Sequence, residues 1–239
     1  MAMLLSTGSF FNNPNAGGGG GGPTGPVVTH RGTFTTSGSV NSITQNGVDI
    51  GAAETGRLVV VTGHIVRAAA AQRTFTGATF NGSGGAGAII DQIGINDGVN
   101  EGVQVGLMSG VVSTGTTVDI VVSWSGLLPA GLINVYTITG LASSTPVDTV
   151  KATGNDPSDS TLAASDLSVV IGAFGGVEPS TGAFTLSGVT ADDDRQHGSG
   201  GTNMRAAAGH ASVASATSAY TVGCSSSAGF EALVASSWA

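Results

Sequence analysis

The sequence predicts an all-β protein, an antiparallel β-sandwich of jelly-roll-like form preceded by a flexible, Gly-rich N-terminal arm. Three observations carry that expectation. Apolar residues recur at every second position, most clearly at Val118, Ile120, Val122 and Trp124, the period of a strand with one buried face. Turn residues punctuate the chain roughly every 8–12 residues, the rhythm of a sandwich or barrel. Strong helix formers are scarce, with Lys151 the only lysine and four glutamates in 239 residues. Forty glycines among many Ser, Thr, Ala and Val describe short strands on flexible turns, and 40% hydrophobic content suffices to cover a packed core.

Residues 1–26 read as the arm. Met3, Leu4, Leu5, Phe10 and Phe11 form an apolar cluster, and Gly17–Gly22 is a run of six glycines, the most flexible linker available. A disordered tail and a docking arm with a poly-Gly hinge are both compatible with this pattern. Two adjacent phenylalanines are unfavourable in water, which favours docking through Leu4, Leu5, Phe10 and Phe11. Residues 27–239 then form the sandwich domain. Val27–Gln45 reads as short alternating strands, and Leu58–Val61 is apolar on both faces, as in a sandwich interior. Ala68–Ala71 is too short a helical signal to trust. Strands follow at Arg73–Phe80, Ala88–Ile95 and Gly102–Met108.

The stretch from Thr114 to Gly140 predicts a central hairpin, its turn at Leu127–Gly131 marked by Pro129 and Gly131. Beyond it, Gly154–Ser160 reads as a loop. Further strands are expected at Leu167–Phe174, Gly182–Gly188, Met204–Ala216 and Phe230–Trp238. Two stretches, about 57–125 and 166–238, have similar order and each ends on a strand bearing tryptophan, a pattern of two related halves.

Composition narrows the function classes. The net charge is −8, yet only 9% of residues are charged, so the surface must be mostly Ser, Thr, Asn, Gly and Ala. Six arginines and one lysine lie scattered without a basic patch, which argues against nucleic-acid binding. A nearly uncharged surface of small residues suits packing against other protein copies. Cys224 is the single cysteine, so no intrachain disulfide is expected, and a small buried packing role is preferred to a nucleophilic one. Met1–Leu5 lacks a basic segment, and no run approaches the roughly 20 apolar residues of a membrane span. Synthesis in the cytoplasm without membrane association is the expectation.

Several segments in this order resemble a module of tailed-phage and prophage virion structural proteins. They are Gly56–Val61, Arg73–Thr79, Thr117–Trp124, Val135–Leu141 with Ser144-Thr145-Pro146, and Ala232–Trp238. The resemblance covers residues 57–239. It implies a virion β-sandwich used as capsid decoration, head fibre or tail-associated part, and it brings no catalytic residues.

Candidate chemistry is sparse. Asp192, Asp193 and Asp194 could offer oxygen ligands to Ca²⁺, although a solvated acidic turn is the preferred reading. Asp91, Asn96, Asp97, Asn100 and Glu101 lack the spacing of a recognised calcium loop, and Asn155, Asp156 and Asp159 read as turn residues beside Pro157. His30, His64, His197 and His210 show no zinc-ligand spacing. Gly82–Gly87 has no following Lys-Ser or Lys-Thr to mark a phosphate loop. Trp124 and Trp238 sit among aliphatic neighbours, which favours core packing over a glycan platform.

The reading is therefore a non-enzymatic virion protein without cofactor. Capsid decoration, cement or head spike is the first choice, attached through the arm and subunit contacts. A tail-tip or fibre module binding a host receptor or surface glycan is the alternative. Expected partners are the major capsid protein or tail proteins and further copies of this chain, as a trimer or pentamer.

Overall fold

Residues 25–69, 72–81, 84–98, 101–177, 182–199, 202–227 and 229–239 are described by the computed structural model. Leu4, Leu5, Phe10, Phe11 and the poly-Gly run lie outside these residues. Fourteen strands form among the described residues, all pairings are antiparallel, and there is no helix. The first six are β1 (Val27–Asp49), β2 (Leu58–Arg67), β3 (Phe75–Asn81), β4 (Gly85–Asn96), β5 (Gly102–Val111) and β6 (Thr117–Thr139). The remaining eight are β7 (Asp148–Gly154), β8 (Ser158–Ala164), β9 (Ser168–Val177), β10 (Thr185–Ser187), β11 (Thr190–Ser199), β12 (Thr202–Val213), β13 (Thr217–Ser225) and β14 (Glu231–Trp238).

Strand β6 organises the first half, but not as a hairpin. Leu127–Gly131 does not reverse the chain; β6 runs unbroken for 23 residues. Its first part, Asp119–Trp124, pairs with β3, and its second, Ala130–Ile138, pairs with β2. β1 follows β6 along nearly its whole length as a single 23-residue strand, where two or more short ones were expected. Of the turn signals, Pro129 falls in the span in which β6 has left β3 and not yet met β2, whereas Gly131 is already opposite Ile65 of β2. A proline cannot donate to a ladder, and Gly126, in the same span, takes φ +127°. Opposite this span the β1 register slips twice around Val40, the mark of bulges that bend a ribbon. With order β2-β5-β4-β3 and both ends on β6, five strands close into a barrel.

So few strands enclose a narrow interior, and glycines make room for its aromatics. Gly63 and Gly106 lie opposite each other in register, and a Cβ on either would stand within 3 Å of the Phe75 ring. Val59, Val61, Ile65, Phe80, Met108, Ile120 and Trp124 fill the remainder. Arg57 plugs one end of the barrel. Its fully buried guanidinium donates to the carbonyls of Ile50, Gly51, Ala52, Val112, Thr114 and Gly115.

The second half builds two packed sheets, a five-stranded one ordered β11-β12-β9-β14-β7 and a three-stranded one ordered β10-β13-β8. The larger sheet is buried on both faces. One face meets the barrel through Val169, Ile171, Val234 and Trp238 against Leu58, Val60, Leu107 and Tyr136. The other meets the smaller sheet through Val170, Phe174 and Leu233 against Leu162, Val222 and Cys224. Barrel and larger sheet approach so closely at Gly175 that a Cβ there would come within 2.6 Å of Val105. The double burial explains Leu58–Val61: odd positions enter the barrel and even positions face the sheet, as the all-apolar run predicted. The segments expected as related halves fall in different layers, Leu58 and Val60 on the barrel packing directly against Val169 and Ile171 of the sheet.

Other expectations need correction. Ser158–Ser160 opens β8 rather than continuing a loop, and Asp192–Asp194 lies inside β11 rather than in a turn. The strand expected over Gly182–Gly188 shrinks to Thr185–Ser187. Ala68 and Ala69 form a bend; Ala70 and Ala71 lie outside the described residues.

Candidate functional site

One pole of the molecule gathers its unusual surface features. Val28 and Leu58 both lie opposite Ile138, and Leu58 also lies opposite Val111. The start of β1, the end of β6, the start of β2 and the end of β5 are therefore together. In the larger sheet, Ser168 lies opposite Val213 and Trp238 opposite Val169. The amide of Ala142, just after β6, donates to Ala239 just after β14, which brings both halves to this pole. Gly25, the first described residue, sits against Leu167; a Cβ at 25 would be 2.9 Å from the Leu167 Cβ.

Five large hydrophobic residues are exposed among the described residues: Val27, Val111, Leu127, Val147 and Leu167. All but Leu127 belong to this pole. Leu167 is also one of two non-glycine residues described with positive φ, at +53°, a conformation that a bulky residue adopts only when its surroundings impose it. Two hollows open here. A groove of about 350 Å³ has Leu58, Ala86, Ala88, Ile90, Val111 and Pro146 among its lining, and a smaller hollow of about 220 Å³ lies between Pro26, Leu167 and Val213. Gly25 and Pro26, where the described chain starts, lie in the middle of these features.

The titratable residues cluster elsewhere, in the seam between barrel and larger sheet. The three carboxylates proposed for Ca²⁺ diverge. Asp192 accepts from His210 Nδ1 at 2.7 Å, Asp193 pairs with Arg195, and Asp194 pairs with Arg205 and accepts the Phe184 amide. Among the described residues no group of three His, Cys, Asp or Glu side chains is placed to hold a metal. Two of the histidines fasten layers: His64 Nε2 donates to Ala207 O and His197 Nε2 to Thr36 O, each at 3.0 Å. His30 and His210 flank the Tyr136 ring at 5.0 and 6.1 Å between centroids. Burial, then the nearby Asp192, holds the Tyr136 hydroxyl far above its ordinary pKa, and burial raises the Cys224 thiol. Neither is a ready nucleophile.

The described part of the oxygen-rich stretch at 91–101 is likewise structural; Asn100 lies outside the described residues. Asp91 binds Lys151 at 2.7 Å, while Asn96 and Asp97 accept the Gly98 and Glu101 amides in the turn between β4 and β5. Asp156 adopts φ +52° and donates its amide to the buried Glu231, a turn role like the one its sequence suggests.

The two seam histidines titrate in opposite senses. Burial lowers the His64 pKa to about 4, whereas the hydrogen bond to Asp192 raises that of His210. An unfolded histidine titrates near 6.5, so the unfolded chain binds a proton at position 64 between pH 6.5 and 4 that the folded chain refuses. The His64 contribution is fully present above pH 6.5 and is lost as pH falls towards 4, roughly 3 kcal/mol in all. His210 contributes oppositely, its stabilisation present below pH 6.5 and lost as pH rises through its folded value. Urea unfolding of wild type and His64→Gln across pH 4.5–7.5 should give a stability difference that is level above pH 6.5 and shrinks below it. A difference constant with pH would refute the buried neutral histidine.

Comparison with protein-family models, with curated proteins and with solved structures finds no match to this chain. The pole was invisible to sequence reasoning because its hydrophobic residues are single residues at strand ends, outside any periodic pattern.

Proposed function

We propose that this chain is a structural protein of a tailed-phage virion, a capsid decoration, cement or head-spike protein that attaches through its N-terminal arm and subunit contacts. The observation that carries this reading is the apolar pole from which the arm starts. Exposed apolar surface gathered in one place is the usual mark of a protein contact, and the segment carrying Leu4, Leu5, Phe10 and Phe11 joins the described chain at this pole. The resemblance of residues 57–239 to virion proteins supplies the setting. We read the eight strands β7–β14 as a jelly-roll-like sandwich and the assembly as a trimer or pentamer, matched to capsid symmetry axes. Both tryptophans are buried, at 3% and 0% exposure, which favours decoration over a tail module that holds glycans on a tryptophan platform.

Immunogold labelling of purified phage particles with antibody to the full chain tests the assignment. Gold distributed over the heads is expected. Gold confined to tails would replace decoration with the tail-module reading, and particles that neither label nor contain the chain by mass spectrometry would remove the virion role.

A further inference from the structure

The groove beside Val111 is the continuation of a core face that the larger sheet leaves uncovered. Val105 and Leu107 of β5 point outward from the barrel and are buried under that sheet. Two positions further along comes Ser109, buried and in register with Ala88 on β4, and then Val111, which is exposed. The groove's lining is small at Ala86, Ala88 and Ser109 and larger at Leu58, Ile90, Val111 and Pro146, with the polar Ser144 and Thr145 just before Pro146. Small side chains between large ones leave a recess shaped for a bulky apolar group.

We propose that in the free subunit this groove seats the Phe10–Phe11 segment of the same chain's arm. The inference rests on the reading of residues 1–26 as a docking arm. Reach permits it: Val28 and Val111 are three strand spacings apart, roughly 14 Å. The fourteen residues 12–25 that follow Phe11 can extend to about 46 Å. Local concentration selects the chain's own arm. A short flexible tether holds its end at about millimolar effective concentration, far above micromolar protein. The glycine run supplies the tether, and the apolar segment stays covered until assembly offers it another surface.

The test is photo-crosslinking of the full chain, dilute and monomeric, with benzoyl-phenylalanine at position 10 and, separately, at 11. Cross-links within one chain to peptides containing residues 86–90, 109–111 or 144–146 are expected. Ala88→Arg places a charge in the recess at an exposed position, and should lower their yield about tenfold without altering the thermal midpoint. Cross-links landing elsewhere, formed between chains, or insensitive to Ala88→Arg would overturn the proposal. Particle labelling stands or falls independently, so loss of this groove contact would leave the virion role intact.

Discussion

Replacing Arg57 with methionine is expected to destabilise the protein by about 3–5 kcal/mol, since buried carbonyls left without a donor cost about 1–3 kcal/mol each and some will find water. Methionine keeps much of the volume but donates nothing, so six carbonyls from the 50–52 and 112–115 segments lose their shared donor. No carboxylate neutralises Arg57 by direct contact among its hydrogen bonds; converging carbonyl dipoles hold the charge. Burial and the neighbouring Arg31 lower its pKa, yet guanidinium stays protonated where a lysine would not be assured of doing so. Arg57→Lys should therefore recover only a minor part of the loss, because three donors on one nitrogen cannot span both loops. Urea unfolding reads the result as a midpoint shift at constant slope. A shift worth under about 1 kcal/mol for Arg57→Met would show that the plug contributes little.

The second large effect is expected at Trp238. This penultimate residue is fully buried between barrel and larger sheet, opposite Val169 and in the cluster of Leu58, Tyr136 and Ile138. Trp238→Ala should cost about 3–5 kcal/mol, the transfer of the indole plus the cavity left behind. The indole N–H has no hydrogen-bond partner among the described residues, so Trp238→Phe removes a donor that was unsatisfied and should cost less than half as much. The same unfolding experiment separates the two. Equal losses for alanine and phenylalanine would mean that ring volume is not what joins the layers.

Much of the fold was legible where burial writes itself into the sequence. Leu58–Val61 is apolar at every position because barrel and sheet press on it from two sides, and Val118–Trp124 alternates because only one face of that segment is buried. The misses have physical causes. Gly126, Pro129 and Gly131 speak the language of turns, but a strand that changes partners midway has the same requirement for bending and for a missing donor. β11 is an edge strand carrying Asp192, Asp193, Asp194 and Arg195, a charged composition that protects an edge from further pairing and reads as a loop. β8 and β13 are rich in Ser, Thr and Ala because the small sheet buries only one face. His64 and His197 fasten the barrel to the larger sheet through their Nε2 bonds to Ala207 and Thr36, contacts between distant strands that no local pattern announces. The site was least legible, since Val27, Val111, Val147 and Leu167 become a surface only when four separate strand ends and loops meet at one pole.

The proposed attachment to phage particles through that pole and residues 1–26 is tested most directly by co-sedimentation. Phage particles stripped of the protein would be mixed with full chain or with Leu4, Leu5, Phe10 and Phe11 all changed to serine. The account predicts saturable binding of the wild type and, for the variant, an affinity reduced about a hundredfold or more, as expected when several buried apolar side chains are lost from a contact. Equal binding of the two chains, with the variant as stably folded as the wild type, would contradict it.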